Sequence, residues 1–210
     1  MERAAVTSFR AVVFDFFGVL TSNMVEVITW FENRERIAPG TFLRAWADPR
    51  GQDLFRSLEL GRISQEDWNT GFAALMGVKR DDLLARYLHD AFPAYQVLQV
   101  ARQARAAGVR TAVLSNSLGR QPYDPYAGFD LHRTFDAVVL SAELGVRKPE
   151  PEAFRAVLER LGVTAEESLF VDDSEENLAA ARRLGFTPVL GLDEDVVVRR
   201  LRELLRLPGL

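Results

Sequence analysis

The chain has 210 residues, of which 48% are hydrophobic and 27% are charged, and its formal net charge is −4. These values are typical of a folded globular protein and argue against intrinsic disorder and against a nucleic-acid-binding surface. Because the chain contains no cysteine and only two histidines, disulfides, thiolate nucleophiles and cysteine zinc sites are excluded. A metal site must use mainly oxygen ligands, which favours Mg²⁺.

Length and hydropathy set the expected organisation and location. The length predicts one domain, or one domain that carries a sizeable insertion. No stretch approaches the roughly 18 consecutive apolar residues of a membrane helix, and the first ten residues, MERAAVTSFR, lack the apolar core of a signal peptide. We therefore predict a protein that does not bind membranes and that is cytoplasmic.

The first predicted strand covers residues 12–15, inside the segment AVVFDFFGVLT, where an apolar run ends in Asp15. After it, residues 22–90 show helical periodicity with many aromatic side chains and no convincing strand. We interpret this stretch as an all-helical domain inserted after the first strand. The predicted domains are therefore a core of residues 1–21 and 91–210 and a helical domain of residues 22–90.

Within the helical insertion, two sequence features give specific expectations. Ser64 and Asp67 have the spacing of a capping box in which Asp replaces Glu, so a helix is expected to begin there. Trp30, Trp46 and Trp68 are large and apolar, and we expect them to form the core of the helical bundle.

The second half of the chain repeats one pattern: a helix, a glycine and then an apolar strand. The three glycines stand where a helix C-cap needs a left-handed residue: Gly108, Gly162 and Gly185. Predicted strands follow at 111–115, 137–140 and 169–172, and a closing amphipathic helix at 194–207. Alternating helices and apolar strands predict an α/β fold with a Rossmann-like open parallel sheet covered by helices.

Polar side chains follow several predicted strands: Asp15, Ser115–Asn116 and Asp172–Asp173, with Arg147–Lys148–Pro149 after a further strand and its loop. Each group alone has an ordinary explanation as a helix cap or a solvated loop residue. In an open parallel sheet, however, all of them fall at the carboxyl edge, where ligands bind. Three carboxylates, a hydroxyl and an ammonium in one pocket form a chemically coherent set.

Four segments, FDFFGVLT, LSNS, GVRKP and FVDDSEENLAAARRLG, resemble in order and spacing the four motifs of the haloacid dehalogenase-like hydrolase superfamily. The resemblance covers essentially the whole chain. The helical insertion is similar to the helical cap of dehalogenases, sugar-phosphate phosphatases and the phosphatase domain of soluble epoxide hydrolase. The motifs identify a family but say little about the substrate.

The resemblance implies a role for each motif residue. Asp15 matches the nucleophile that forms an aspartyl intermediate, and a carboxylate is competent for this when the site orients it. Ser115 matches a hydroxyl donor to a phosphoryl oxygen, with Asn116 assisting. Lys148 matches the cation that pairs with the nucleophile and the transferred group. The implied substrate is a small phosphorylated metabolite, and the implied protein is a monomer or a homodimer.

The same resemblance implies a Mg²⁺ site. Its protein ligands would be Asp15, the backbone carbonyl of Phe17, and Asp173, with Asp172 in or beside the first shell and Asn177 next to it. Waters and the phosphate would complete the coordination.

Position 17 departs from the family pattern. Phosphatases of the superfamily usually carry there a second Asp, which protonates the leaving alcohol and then activates water. Phe17 can do neither, and general acid–base help is typically worth about 10² to 10⁴-fold. The carbonyl of Phe17 is unaffected by this change, so metal binding is still expected.

Three functions remain open. A Mg²⁺-dependent phosphatase ranks first, because Asp172 and Asp173 beside Asp15 need a cation or protons to relieve their repulsion. A 2-haloacid dehalogenase is the alternative that Phe17 favours, since halide leaves without a proton. A protein that binds a phosphorylated ligand without catalysis is the third.

Two further residues are candidates for the pocket mouth. Arg62, in the turn before the Ser64 helix, could contact phosphate or carboxylate, although a solvated arginine is at least as good an explanation. His132 lies in the long segment 117–135, which we expect over the pocket, and could supply a proton in place of the missing Asp.

Overall fold

The computed structural model describes residues 9–207, and its centre is a five-stranded parallel sheet. The strands are β1 (Ala11–Phe14), β2 (Arg110–Ser115), β3 (Ala137–Leu140), β4 (Ser168–Asp172) and β5 (Thr187–Leu190). Their spatial order is β3-β2-β1-β4-β5, so β1 lies in the middle, paired with β2 and β4. The predicted parallel α/β sheet is confirmed, and β1 delivers the residue that follows it to the centre of the carboxyl edge.

Of the six helices between β1 and β2, the first five lie in the predicted insertion: α1 (Met24–Glu35), α2 (Thr41–Ala47), α3 (Pro49–Glu59), α4 (Gln65–Met76) and α5 (Leu83–Leu88). The remaining helices are α6 (Tyr95–Ala106), α7 (Leu131–Thr134), α8 (Ser141–Leu144), α9 (Pro151–Leu161), α10 (Glu175–Arg183) and α11 (Glu194–Leu205). No helix within residues 9–207 has both the length and the apolar character needed to cross a membrane.

The two faces of the sheet are covered by different helices because side chains alternate along each strand. Val12 and Phe14 point to a cluster that α6 and α11 complete, whereas Val13 points to a cluster that α9 and α10 complete. Burial on both faces explains why the strands read as continuous apolar runs. The C-cap prediction is also confirmed: Gly108, Gly162 and Gly185 all have positive φ.

A third apolar cluster lies among α1–α5. Trp68 is fully buried in it and stacks on Phe72 with ring centroids 4.7 Å apart. The prediction was wrong for Trp30 and Trp46, which are 39% and 49% exposed. Each of these two tryptophans lies next to the buried face of its helix and is not part of that face. The buried apolar positions there are Val27, Ile28 and Phe31 in α1 and Phe42 and Ala45 in α2.

The chain passes between the sheet and the helical insertion at two adjacent points. Thr21 and Pro93 form an isolated antiparallel bridge, and the Ser22 N–H donates to the Phe92 carbonyl at 2.8 Å. This pairing lies close to the predicted boundaries at residues 21/22 and 90/91, and the boundaries and the division into two domains stay predictions.

The start of α4 is fixed by the expected capping box. The Asp67 N–H donates to the Ser64 hydroxyl, and the Ser64 N–H donates to the Asp67 carboxylate, at 3.1 and 3.0 Å. The next side chain, Gln65, joins the insertion to the loop after β2. Its amide nitrogen donates to the carbonyls of Leu118 and Tyr123, and its amide oxygen accepts from the Tyr123 N–H, at 2.8 to 3.0 Å.

Replacing Gln65 by Ala should lower the free energy of unfolding by about 2 to 4 kcal/mol, since buried backbone groups lose their partners. The side chain is 2% exposed, so water cannot simply replace it. Urea unfolding measures the change. The matched control is Gln99→Ala on the exposed face of α6, where a change within about 0.5 kcal/mol is expected. Equal effects of the two substitutions would contradict the role of Gln65 as a buried clamp.

Candidate active site

Asp15 occupies the carboxyl end of the central strand. Its N–H donates to the Val171 carbonyl at 2.8 Å, which continues the β1–β4 ladder and fixes the backbone. Its carboxylate oxygen Oδ1 accepts from the Phe16 N–H at 2.6 Å and lies 2.7 Å from Lys148 Nζ. The residue is only 8% exposed. This is an oriented carboxylate with a cation beside it, at the edge that the sequence predicts.

Lys148 stands between two carboxylates. Its Nζ lies 2.7 Å from both Asp15 Oδ1 and Asp172 Oδ2, and the residue is 1% exposed. Burial by itself lowers the pKa of Lys148, but the two carboxylates outweigh burial and raise this pKa above its ordinary value. The ammonium is therefore a fixed positive charge.

Asn116 holds the backbone of Lys148. The Asn116 amide nitrogen donates to the Lys148 carbonyl at 3.1 Å, and the Lys148 N–H donates to the Asn116 amide oxygen at 2.9 Å. Both ends of the side chain are used in this pair. Its geometry therefore favours a role in positioning Lys148, whereas the sequence suggested a contact with substrate.

Asp172 is completely buried and fully hydrogen-bonded. Oδ2 faces Lys148, while Oδ1 accepts from the Ser174 N–H at 2.9 Å and from Asn177 Nδ2 at 3.0 Å. Asn177 therefore lies directly behind the carboxylate, as the motif implies. The arrangement orients Asp172 towards Lys148.

Asp173 completes a group of three acids. One carboxylate oxygen from each of Asp15, Asp172 and Asp173 lies within 4.8 Å of the others. Burial, and then the neighbouring Asp172, raise the pKa of Asp173 to about 6, against the opposing effect of Lys148. Burial is also the largest cause that raises the pKa of Asp15, and Lys148 only partly offsets it.

Three carboxylates lie beside one lysine, so the group has a net negative charge when its acids are ionised. Oxygen donors at this spacing suit a hard divalent cation such as Mg²⁺, which would relieve the repulsion. Gly18 makes room beside them: its φ is +79°, and a Cβ there would lie 2.3 Å from Asp173 Oδ2. Any side chain at this position would displace the carboxylate.

Phe17 lies where the sheet and the helical insertion meet. Its half-buried ring packs against Phe16 and Tyr126, with ring centroids 5.0 and 6.1 Å away. The ring contacts the apolar cluster under α6 and α11 and the cluster among α1–α5. Within the described part of the chain, the Phe16 carbonyl accepts three backbone N–H groups, whereas no N–H is bonded to the Phe17 carbonyl. That carbonyl is available as a metal ligand, and the side chain has no proton to give.

Ser115 ends β2 and is fully buried. Its Oγ lies 3.1 Å from the hydroxyl of Tyr126. Burial raises the pKa of Tyr126 above its ordinary value of 10, so this group remains a neutral phenol. Tyr126 is not among the site residues that the sequence predicts. The only signal was the aromatic, turn-rich character of the loop, which does not say which tyrosine returns to the strand end.

Arg62 and His132 are both exposed, and neither forms a hydrogen bond or ion pair through its side chain with another residue in the range 9–207. Their roles as a substrate contact and a substitute acid stay predictions. One insertion residue that reaches a motif loop is Glu59, at the end of α3. Its Oε2 lies 2.7 Å from Arg147 Nε, and its carbonyl accepts from the Ser141 hydroxyl at 2.5 Å.

Residues 9–185 match the sequence model of the family described as haloacid dehalogenase-like hydrolase. The chain belongs to this family. Among curated relatives, the hydrolase is 32% identical to Phosphatase MT3486 from Mycobacterium tuberculosis, over 94% of this chain and 95% of that protein. It is 27% identical to (S)-2-haloacid dehalogenase from Xanthobacter autotrophicus, over 91% and 79% of the two chains.

A solved structure agrees with the fold of the hydrolase. The family enzyme from Bacteroides thetaiotaomicron, in complex with magnesium and inorganic phosphate, has a TM-score of 0.60 and 26% identity, over 87% of this chain and 93% of that chain. Some curated relatives are much longer. The hydrolase spans 20% of acyl-CoA dehydrogenase family member 10 from Mus musculus, with 29% identity over 96% of this chain.

Proposed function

We propose that the hydrolase is a Mg²⁺-dependent phosphatase that acts on a small phosphorylated metabolite through an aspartyl-phosphate intermediate on Asp15. The observation that carries this proposal is the group of three carboxylates, with one oxygen of each within 4.8 Å of the others, of which Asp15 lies 2.7 Å from Lys148 Nζ. The phosphatase named among the relatives and the magnesium and phosphate complex of the structural neighbour support the same chemistry.

The proposed reaction has two displacements. A carboxylate oxygen of Asp15 attacks phosphorus while the bond to the leaving oxygen breaks and that oxygen keeps the electron pair. Water then attacks the phosphorus of the acyl phosphate, and Asp15 is regenerated as orthophosphate leaves. Lys148 and the Ser115 hydroxyl stabilise the charge on the phosphoryl oxygens in both steps.

The metal ligands in this proposal are Asp15, Asp173 and the Phe17 carbonyl, with Asp172 in or beside the first shell and Asn177 behind it. When bound, Mg²⁺ supplies positive charge next to the transferred phosphoryl group. Burial is the largest cause that raises the pKa values of Asp15 and Asp173, the neighbouring carboxylates add to it, and a bound cation would favour the ionised forms.

Phe17 makes the proposed activity selective for the leaving group. An aryl oxygen leaves as a stable anion, whereas an alkoxide needs a proton that Phe17 cannot give. We therefore expect faster turnover of aryl phosphates than of sugar phosphates. A cytoplasmic location and a monomeric or homodimeric state remain predictions.

The test is orthophosphate release from a panel of phosphate esters, measured with Mg²⁺ and with EDTA. We expect Mg²⁺-dependent release from p-nitrophenyl phosphate, slower release from sugar phosphates, and none with EDTA. Absence of release across the panel would contradict the proposal. Orthophosphate binding without turnover would then indicate a non-catalytic phosphate-binding protein.

A 2-haloacid dehalogenase is the second candidate, because Phe17 provides no acid and one curated relative carries that name. In that reaction Asp15 would attack carbon and halide would leave without a proton. Asp172 and Asp173 argue against it, since the reaction has no need of a cation. Chloride release from 2-chloropropionate that EDTA does not change would favour this candidate over the phosphatase.

A further inference from the structure

Two buried hydroxyl groups meet at the end of β2. Ser115 Oγ and Tyr126 Oη are 3.1 Å apart, and either atom could donate the hydrogen bond. Ser115 is fully buried and Tyr126 is 4% exposed, so bulk water does not compete for these groups. The direction of this one bond decides what Ser115 can offer to a substrate.

A serine hydroxyl has one proton and two lone pairs. If Ser115 donates its proton to Tyr126, a lone pair faces the incoming phosphoryl oxygen, and the contact is repulsive. If Tyr126 donates instead, the serine proton is free to point at the phosphoryl oxygen. The function of Ser115 therefore depends on the second arrangement.

Donor strength favours that arrangement, because a phenol is a stronger hydrogen-bond donor than an aliphatic hydroxyl. The Ser117 side chain also lies beside the phenol. The Ser117 hydroxyl oxygen accepts from the Gly119 N–H at 3.2 Å, and its proton is still available to donate. A chain of donors from Ser117 to Tyr126 to Ser115 would satisfy all three hydroxyls and end at the substrate.

We propose that Tyr126 is a positioning residue that donates its phenolic proton to Ser115 Oγ and thereby directs the Ser115 proton towards a phosphoryl oxygen. The inference rests on the proposed function, because it requires a phosphoryl group beside Ser115. It adds a residue that none of the four motifs contains.

The loop that carries Tyr126 is held rigidly enough for this role. The phenol ring packs against Phe16 with centroids 4.5 Å apart, and the Tyr126 N–H donates to Asp124 Oδ1 at 3.0 Å. Gln65 clamps the same loop from the helical insertion through Leu118 and Tyr123. The loop after β2 therefore both binds the helical insertion and orients Tyr126.

The test is a double-mutant cycle between Tyr126→Phe and Ser115→Ala, with p-nitrophenyl phosphate turnover and orthophosphate affinity as readouts. Removing the phenol oxygen from the wild-type protein should lower kcat/KM and orthophosphate affinity about three- to tenfold, the effect of one neutral hydrogen bond. In the Ser115→Ala background the same change should have less than about a twofold effect, because residues that act as a unit are not additive.

The matched control is Tyr123→Phe, the same chemical change in the same loop, which should leave both readouts unchanged. A merely structural role of Tyr126 would give equal losses with and without the Ser115 hydroxyl, and that result would overturn the proposal, as would no loss in either. If the wild-type protein binds orthophosphate but releases none from esters, the proposed function fails while the binding cycle still decides the role of Tyr126. Absence of orthophosphate binding would overturn both.

Discussion

Replacing Asp15 by Asn is expected to reduce phosphate release by about 10⁴-fold or more, the scale of losing a catalytic nucleophile. The amide keeps the shape of the carboxylate and can still accept a hydrogen bond from the Phe16 N–H, but it cannot form an acyl phosphate. Orthophosphate release under saturating p-nitrophenyl phosphate measures the loss. Turnover within about tenfold of the wild-type rate would show that Asp15 is not the nucleophile.

The same substitution should not weaken the fold in the absence of metal. Folding raises the pKa of Asp15, so the ionised carboxylate destabilises the folded state at pH values above its unfolded pKa, and a neutral amide removes that cost. Lys148 keeps Asp172 as a partner at 2.7 Å. Urea unfolding in EDTA should therefore give equal or higher stability for Asp15→Asn.

A control and an added ligand separate these effects. Asp81→Asn changes an exposed aspartate in the same way and should alter neither turnover nor stability. Added Mg²⁺ should raise the unfolding midpoint of the wild-type protein more than that of Asp15→Asn, since a ligand of the native state stabilises by mass action. Equal shifts would argue that Asp15 does not contribute to the metal site.

Much of this site could be predicted because local sequence determines it. Apolar runs covered on both faces predict the parallel strands, and the carboxyl edge of a parallel sheet gathers whatever polar residues follow them. Asp15, Ser115, Lys148 and Asp172 come together for that reason. The capping box of α4 and the glycine C-caps are equally local, since each depends on residues within one helical turn.

The contacts that the sequence did not predict are those between distant segments. Tyr126 reaches Ser115 across a loop of irregular backbone, and Gln65 bonds to that loop from a helix more than fifty residues earlier. No periodicity encodes such contacts. Trp30 and Trp46 show the same limit, because size and apolarity favour burial while the angle around a short helix decides it. For Asn116, the sequence predicted a place in the site but did not predict that the side chain bonds to the backbone of Lys148.

Replacing Phe17 by Asp should increase turnover of alkyl phosphates by up to about 10²-fold, the lower end of what a positioned acid contributes. The new carboxyl group would stand two residues after the nucleophile, where it can protonate a leaving alkoxide. Aryl phosphates should change much less, because their leaving group needs no proton. The ratio of kcat/KM for an alkyl ester to that for p-nitrophenyl phosphate is therefore the quantity to measure.

The matched control is Phe17→Asn. It removes the same ring, and the Asn side chain has nearly the size of Asp but carries no acidic proton. Both variants lose the contacts of Phe17 with Phe16 and Tyr126, and each should lower the free energy of unfolding by about 1 to 3 kcal/mol. A gain in the alkyl-to-aryl ratio shared by both variants would mean that Phe17 limits access and not proton supply. A gain in this ratio for Phe17→Asp alone would identify position 17 as the site of the missing acid. If neither variant gains while both stay folded, the leaving-group proton comes from another group, and Phe17 is part of a pocket built for chemistry that does not need an acid there.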